Sequence, residues 1–113
     1  MTVKTLTANN YDELIGKSDK VCVVKFWHHE CHMCQGLEPI YARLAEQYKD
    51  KFNFFEVNTL HDKGRVSGRY DLEGVPEIYF VNNDDLYEIP FPKIPAPSGY
   101  SGGYLEFYLL SYY

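Results

Sequence analysis

The chain has 113 residues, of which 45% are hydrophobic and 24% are charged, and its formal net charge at pH 7 is −5. This length suits one compact domain and is too short for two, so we expect a single domain spanning residues 1–113. The acidic balance, with scattered basic residues, argues against nucleic-acid binding, and apolar runs of only strand length argue against a membrane span.

Predicted strands and helices alternate along the chain before a final hairpin and helix. In order, they are strand Val3–Thr7, helix Tyr11–Ile15 capped by Asn9 or Asn10, strand Val21–Trp27, a helix from Cys34 onward that contains Pro39, strand Phe52–Asn58, helix Asp62–Tyr70, strands Ile78–Val81 and Leu86–Ile89, and a helix starting at Ser101 or Gly102. This order predicts an α/β fold, with a central mixed sheet of four to five strands and helices on both faces. Because Val21–Trp27 is almost wholly apolar, we expect it to be a central strand covered on both faces.

Four prolines between Pro90 and Pro97 exclude a regular helix or a central strand and predict an irregular connection. Such a segment is either a variable surface loop, which is the interpretation we favour, or part of the rim of a neighbouring site.

Two of the three cysteines, Cys31 and Cys34, are separated by two residues at the junction of a predicted strand and helix. A helix N-terminus stabilises the thiolate that attacks disulfides, and a cysteine one turn later can resolve the mixed disulfide. Cys31 is therefore the candidate nucleophile and Cys34 the candidate resolving thiol. A cationic His32 would stabilise the thiolate further, and Glu30 would oppose it. Cys22 lies among valines and is expected to be a buried hydrophobic residue.

A metal site is the chemical rival to redox activity, because thiol and imidazole ligands are concentrated within seven residues. They are His28, His29, Cys31, His32 and Cys34. Structural zinc sites usually draw further ligands from a distant second cluster, and elsewhere the sequence has a single other histidine, His61. We therefore expect no resident metal and keep a metal-holding, non-catalytic binding module as an alternative.

The chain resembles the thioredoxin family over nearly its whole length. The features that match are the strand Val23–Trp27, Cys31 and Cys34 after three intervening residues, Pro39 in the following helix, the loop Gly74–Pro76 and the hairpin turn Asn83–Asp84. The resemblance implies the thioredoxin fold, with a cis bond before Pro76 that faces the dithiol and a preceding backbone that pairs with the substrate chain.

The resemblance also implies a thiol–disulfide oxidoreductase that reduces protein disulfides through a mixed disulfide, in cellular electron transport and redox homeostasis. The expected partners are disulfide-containing protein substrates and a separate reductase or thiol electron donor; no bound cofactor is needed, and we expect a monomer. Because Met1 begins a polar segment without signal-peptide features, we expect a cytoplasmic location. The residues expected to contact the substrate are Trp27, His32, Met33, Val75 and Pro76.

Two departures from the family lie close to the dithiol. Thioredoxins typically have Trp-Cys-Gly-Pro-Cys, whereas residues 30–34 are Glu-Cys-His-Met-Cys, which keeps open a protein disulfide isomerase or oxidase as the alternative. Lys25 stands where the family usually has a buried aspartate, and Glu56 stands where it often has a lysine. Because a buried ion must be paired or neutral, we predict that Lys25 and Glu56 form a reversed pair. Burial would lower the pKa of Lys25 and allow it to relay protons to Cys34.

Overall fold

The computed structural model of the protein describes residues 2–112. The strands are β1 (Val3–Thr5), β2 (Val21–Trp27), β3 (Phe52–Asn58), β4 (Glu77–Asn82) and β5 (Asp85–Ile89), and the helices are α1 (Tyr11–Gly16), α2 (His32–Gln47), α3 (Thr59–Asp62) and α4 (Gly102–Ser111), with a 3₁₀ turn at Ser67–Arg69. None of the helices within residues 2–112 has the length and apolar content needed to cross a membrane.

The five strands form one mixed sheet in the order β1-β3-β2-β4-β5. Strand β3 runs parallel to both β1 and β2, whereas β4 runs antiparallel to β2 and β5. The apolar strand β2 is therefore central, as its sequence predicts. The mixed sheet with helices on both faces confirms the predicted α/β architecture.

Side chains of β2 alternate between two apolar clusters, one on each face of the sheet. Val23 belongs to the cluster beneath α2 and α4. Val24 and Phe26 belong to the cluster on the opposite face, which includes Tyr11 of α1. Because both faces are covered, the strand needs apolar residues at consecutive positions, which explains its nearly continuous hydrophobic sequence.

Helix α2 packs on the sheet through the residues that its periodicity indicated. Leu37, Tyr41 and Leu44 are all buried. The Tyr41 hydroxyl lies between two strand carbonyl groups and donates to their oxygens, at 3.1 Å for Val23 and 2.8 Å for Phe55. This contact attaches the middle of α2 to both β2 and β3.

The predicted helix Asp62–Tyr70 is wrong, because α3 already ends at Asp62. The chain turns at Gly64, whose φ of +83° lies in the left-handed region that favours glycine. The Asp62 carboxylate accepts hydrogen bonds from the backbone N–H groups of Val66 and Ser67, each at 2.9 Å. These bonds stabilise a loop in place of a continuing helix.

The first strand is shorter than predicted and ends at Thr5 instead of Thr7. Asn10 explains the difference, because its side chain accepts from the Thr7 N–H at 2.8 Å and donates to the Thr5 carbonyl at 3.1 Å. Asn10 occupies the N-cap position of α1 as predicted, but its side chain makes no capping bond to the helix.

Candidate active site

Cys31 and Cys34 lie where the central strand β2 leads into α2. Cys31 is the N-cap residue of the helix, and its sulfur accepts a hydrogen bond from the Cys34 backbone N–H at 3.1 Å. The two sulfurs form a disulfide, with their Cα atoms 5.2 Å apart. The structure therefore shows the oxidised pair. In the reduced pair, the free N–H groups and positive dipole end of α2 would stabilise a Cys31 thiolate.

The two cysteines differ in their access to solvent. Cys34 is only 2% exposed, whereas Cys31 is partly exposed. The residues between them, His32 and Met33, are exposed. A substrate disulfide can therefore reach the Cys31 sulfur, while Cys34 is placed to react with a partner already bound to Cys31.

The loop before β4 lies beside the exposed cysteine. The Val75–Pro76 peptide bond is cis, and the Val75 carbonyl oxygen lies 3.8 Å from the Cys31 sulfur. Pro76 is buried, and Val75 is partly exposed. Trp27 ends β2 and is partly exposed, with an indole N–H that is buried and meets no acceptor within residues 2–112. The loop thus presents backbone groups of Val75 next to the reactive sulfur.

Lys25 and Glu56 face each other across neighbouring strands. They are direct register partners of β2 and β3, and the Lys25 Nζ lies 3.6 Å from Glu56 Oε1. Lys25 is 2% exposed, and its ammonium group lies 4.8 Å from the centre of the Tyr41 ring. Burial lowers the pKa of Lys25, while the charges of Glu56 and Glu38 oppose that shift. The structure brings the predicted pair together, and the relay of protons to Cys34 stays a prediction.

The cluster of potential metal ligands at residues 28–34 is not assembled as a site. Within residues 2–112, no three His, Cys, Asp or Glu side chains are grouped so that they could hold a metal ion. Both cysteines of the cluster belong to the disulfide, and the His29 ring packs beside the His61 ring with centroids 5.7 Å apart. Cys22, the remaining cysteine, is buried as predicted.

The proline-rich segment Pro90–Pro97 continues into a turn that packs against the active-site motif. Gly99 has φ +78°, and a Cβ at this position would lie 3.1 Å from the Phe91 ring and 3.6 Å from the Met33 sulfur. The position therefore requires glycine for both its backbone conformation and its close contacts. This placement favours the rim interpretation over that of an independent surface loop.

Sequence reasoning missed Glu77, the first residue of β4. Its side chain is buried, with 6% of the residue exposed, and its Oε1 accepts from the N–H groups of Glu73 at 2.7 Å and Gly74 at 3.0 Å. Glu77 therefore holds the loop that leads to Val75. The signal was present in the sequence, because a glutamate directly after the loop proline begins an otherwise apolar strand.

Comparisons with known proteins agree with this geometry. A profile of the Thioredoxin family matches residues 2–90. Protein disulfide-isomerase A3 of Gallus gallus is 31% identical over 101 residues, which are 89% of this chain and 18% of that protein. The chloroplastic thioredoxin M-type of Brassica napus is 36% identical over 70 residues, which are 62% of this chain and 39% of that protein. The chain thus spans well under two thirds of the length of either relative.

A crystal structure of thioredoxin f from spinach chloroplast shows the same fold. It superposes with a TM-score of 0.69 at 19% sequence identity, over 75% of this chain and 70% of that one. The profile match covers more than half of the chain and includes both cysteines and the cis-proline loop. The chain therefore belongs to the thioredoxin family.

Proposed function

We propose that this chain is a thiol–disulfide oxidoreductase that reduces protein disulfides through Cys31 and Cys34. The observation that carries the proposal is the unequal exposure of two bonded cysteines at a helix N-terminus. Relatives named thioredoxin and protein disulfide-isomerase support the same class of activity.

In the proposed reaction, the Cys31 thiolate attacks one sulfur of a substrate disulfide. A bond forms between Cys31 and that sulfur, and the other substrate sulfur leaves as a thiolate. The Cys34 thiolate then attacks the Cys31 sulfur, and the Cys31–Cys34 disulfide forms as the second substrate thiolate leaves. Two electrons pass to the substrate, whose thiolates take up protons. A separate reductase or thiol pool returns the pair to its reduced state.

The substrate would dock as an extended strand beside the cis-proline loop. Val75 contributes backbone groups next to the Cys31 sulfur, and main-chain pairing of this kind accepts varied side chains. His32 and Met33 are exposed at the start of α2, and Trp27 is partly exposed at the end of β2. We infer that these residues contact the segments that flank the substrate cysteine.

We propose that Lys25 takes up the proton of the Cys34 thiol in the second step. It lines a cleft of about 290 Å³ together with Glu38 and Glu56, so a proton can be exchanged with water from this side. Because burial lowers the pKa of Lys25, its ammonium group gives up a proton to water more readily than that of an exposed lysine. The neutral amine can then take the proton of the Cys34 thiol, which leaves the Cys34 thiolate that attacks the mixed disulfide.

A protein disulfide isomerase or oxidase is the second candidate. The match to the chicken isomerase covers 89% of this chain, and no proline precedes Cys34. The reduction potential separates the two candidates. A value near or below about −250 mV indicates a reductase suited to a reducing compartment such as the cytoplasm, whereas about −180 to −120 mV indicates an oxidase or isomerase.

The activity itself is tested with three cysteine variants and a disulfide-bonded protein substrate. Cys31→Ser should abolish reduction, and Cys34→Ser should accumulate a mixed disulfide through Cys31 that resolves slowly. Cys22→Ala is the matched control and should retain activity, because Cys22 is buried on the sheet away from the motif. Reduction by the Cys31→Ser variant, or a mixed disulfide through Cys22, would refute the proposed mechanism.

A further inference from the structure

A second pair of ionisable groups lies next to the proposed substrate loop. Glu77 follows the cis-proline directly, and its side chain shares a sheet face with Tyr79. Strand β5 places Glu88 directly opposite Tyr79, so Glu88 is the diagonal neighbour of Glu77 on that face. Diagonal neighbours of this kind are within reach of each other when their side chains are long, and the influence of Glu77 on the pKa of Glu88 agrees with such proximity.

One carboxylate oxygen of Glu77 accepts hydrogen bonds from the loop. Oε1 accepts both the Glu73 and the Gly74 N–H, at 2.7 and 3.0 Å, and these residues lead directly into Val75. Oε2 is buried and accepts no hydrogen bond from any donor within residues 2–112. A buried carboxylate oxygen without a donor is costly, so this position calls for a proton donor.

Glu88 can supply that donor only in its protonated form, because a carboxylate accepts hydrogen bonds and cannot donate them. We propose that Glu77 and Glu88 share one proton, and that this shared proton fixes the Glu73–Val75 backbone for pairing with the substrate. The second part of the proposal rests on the proposed function. In this arrangement Glu77 and Glu88 are positioning residues that act through the loop backbone.

The surroundings favour retention of the proton. Partial burial, together with the charge and hydrogen bond of Glu77, raises the pKa of Glu88, and Glu73 and Asp71 add to the shift. Tyr79 also faces this group of acids, and burial together with their charges raises its pKa to about 12.

Tyr100 lies on the opposite face of the sheet, in the cluster that contains Ile78 and Ile89, and is the other ionisable group that responds to the charges of the pair. Its pKa is raised first by burial and then by the charges of Glu88 and Glu77. Both tyrosines are therefore neutral while Glu88 titrates. The pair is intact on the acid side of the Glu88 titration and opens on its alkaline side, where two carboxylates repel each other.

The shared proton is tested first by ¹³C NMR titration of the side-chain carboxyl groups in the oxidised protein. Glu88 should titrate above the ordinary value of 4.5. The protection factors of the Glu73 and Gly74 amides, which remove the intrinsic pH dependence of hydrogen exchange, should fall with the same midpoint. Glu77→Gln keeps an acceptor for the loop but removes the charge beside Glu88, so Glu88 should titrate closer to its ordinary value. In Glu88→Gln, the side-chain amide donates permanently to Glu77, and the loop amides should stay protected across the whole pH range.

The effect on the substrate is tested with a ratio of two rates. A disulfide-bonded peptide needs the loop, whereas a small aromatic disulfide needs only the Cys31 thiolate, so their ratio cancels the titration of the cysteine. In the wild type, the rate for the peptide divided by the rate for the small disulfide should fall about five-fold as the pH rises through the Glu88 titration. A change of about five-fold corresponds to the loss of one hydrogen bond. The ratio should stay constant in Glu88→Gln. Asp85→Asn, which neutralises an exposed acid on the same strand, is the matched control and should behave as the wild type.

The outcomes separate this inference from the proposed function. If neither substrate is reduced, the proposed function fails, while the titration and the amide exchange still decide whether the proton is shared. If Glu88 titrates at its ordinary value and the protection factors of the loop amides do not change with pH, the shared proton is overturned. If Glu88→Gln keeps the pH-dependent ratio of the wild type, the link to substrate positioning is overturned.

Discussion

Replacing Lys25 and Glu56 one at a time should affect stability unequally, because the two side chains are unequally buried. The Lys25 side chain is 2% exposed and that of Glu56 is 24% exposed. At their separation of 3.6 Å, the attraction amounts to about 5 kcal/mol for an effective dielectric constant of about 20. Desolvation of the two ions offsets most of this gain. The net effect of each substitution therefore depends on which charge is left behind.

Glu56→Gln leaves the buried ammonium group without its cross-strand partner and should lower the free energy of unfolding by about 2–4 kcal/mol. Lys25→Met leaves a carboxylate that water can reach and removes the cost of burying the ammonium group. Its free energy of unfolding should therefore change by less than about 1 kcal/mol. Urea unfolding of the oxidised variants, followed by circular dichroism, measures both values, and the double variant completes the cycle.

An equal decrease in the free energy of unfolding of Glu56→Gln and Lys25→Met would refute this reasoning, because burial would then not distinguish the two residues. The same Lys25→Met variant tests the proton relay independently of stability. Resolution of the mixed disulfide by Cys34 should slow and change its pH dependence. If the thiol–disulfide exchange rates of Lys25→Met match those of the wild type at every pH, Lys25 takes no part in the proton transfer.

Two further predictions concern the framework of the site. Tyr41→Phe removes the hydroxyl that donates to two strand carbonyls and should lower the free energy of unfolding by about 1–2 kcal/mol, measured by urea unfolding; no change would mean that this contact does not stabilise the fold. Burial opposes the charge of Asp62, but hydrogen bonds from the following loop outweigh it and lower the pKa of Asp62. The resulting stabilisation is complete above the ordinary value of 3.8 and is lost as the pH falls through the lowered native value. Asp62→Asn should therefore unfold more easily at pH 7, by about 1–2 kcal/mol, and show a weaker loss of stability in acid; equal acid profiles would contradict the assignment.

The sequence was most informative where one physical requirement governs a whole segment. Strand β2 has the predicted bounds, because a strand covered on both faces needs apolar residues at nearly every position. Strand β3 also has the predicted bounds, although Asn53, Glu56 and Asn58 interrupt its apolar residues. Helix α2 followed from its apolar spacing, and the cysteine pair followed from its position at a strand–helix junction. In each case, the interactions that decide the secondary structure lie within the segment itself or between its buried faces and the core.

Prediction failed where side chains bond to the backbone of a nearby turn or to another strand. The polar segment after β3 has helical spacing, but the Asp62 carboxylate and the turn at Gly64 stabilise a loop. The position of Glu88 diagonally opposite Glu77 depends on the register of β4 and β5, which the separate strand patterns do not specify. The family match likewise ends at residue 90, before the segment that packs beside Met33.

The disulfide between Cys31 and Cys34 encloses a very short loop, which limits what it contributes to folding. Closing a loop of about four residues removes roughly 2 kcal/mol of chain entropy from the unfolded state. A domain is typically stable by about 5–15 kcal/mol, and here that stability comes from the two apolar clusters that cover the sheet. Reduction therefore removes a minor share of the stability and leaves both clusters in place. The disulfide can therefore be reduced and re-formed during a reaction cycle while the fold stays intact.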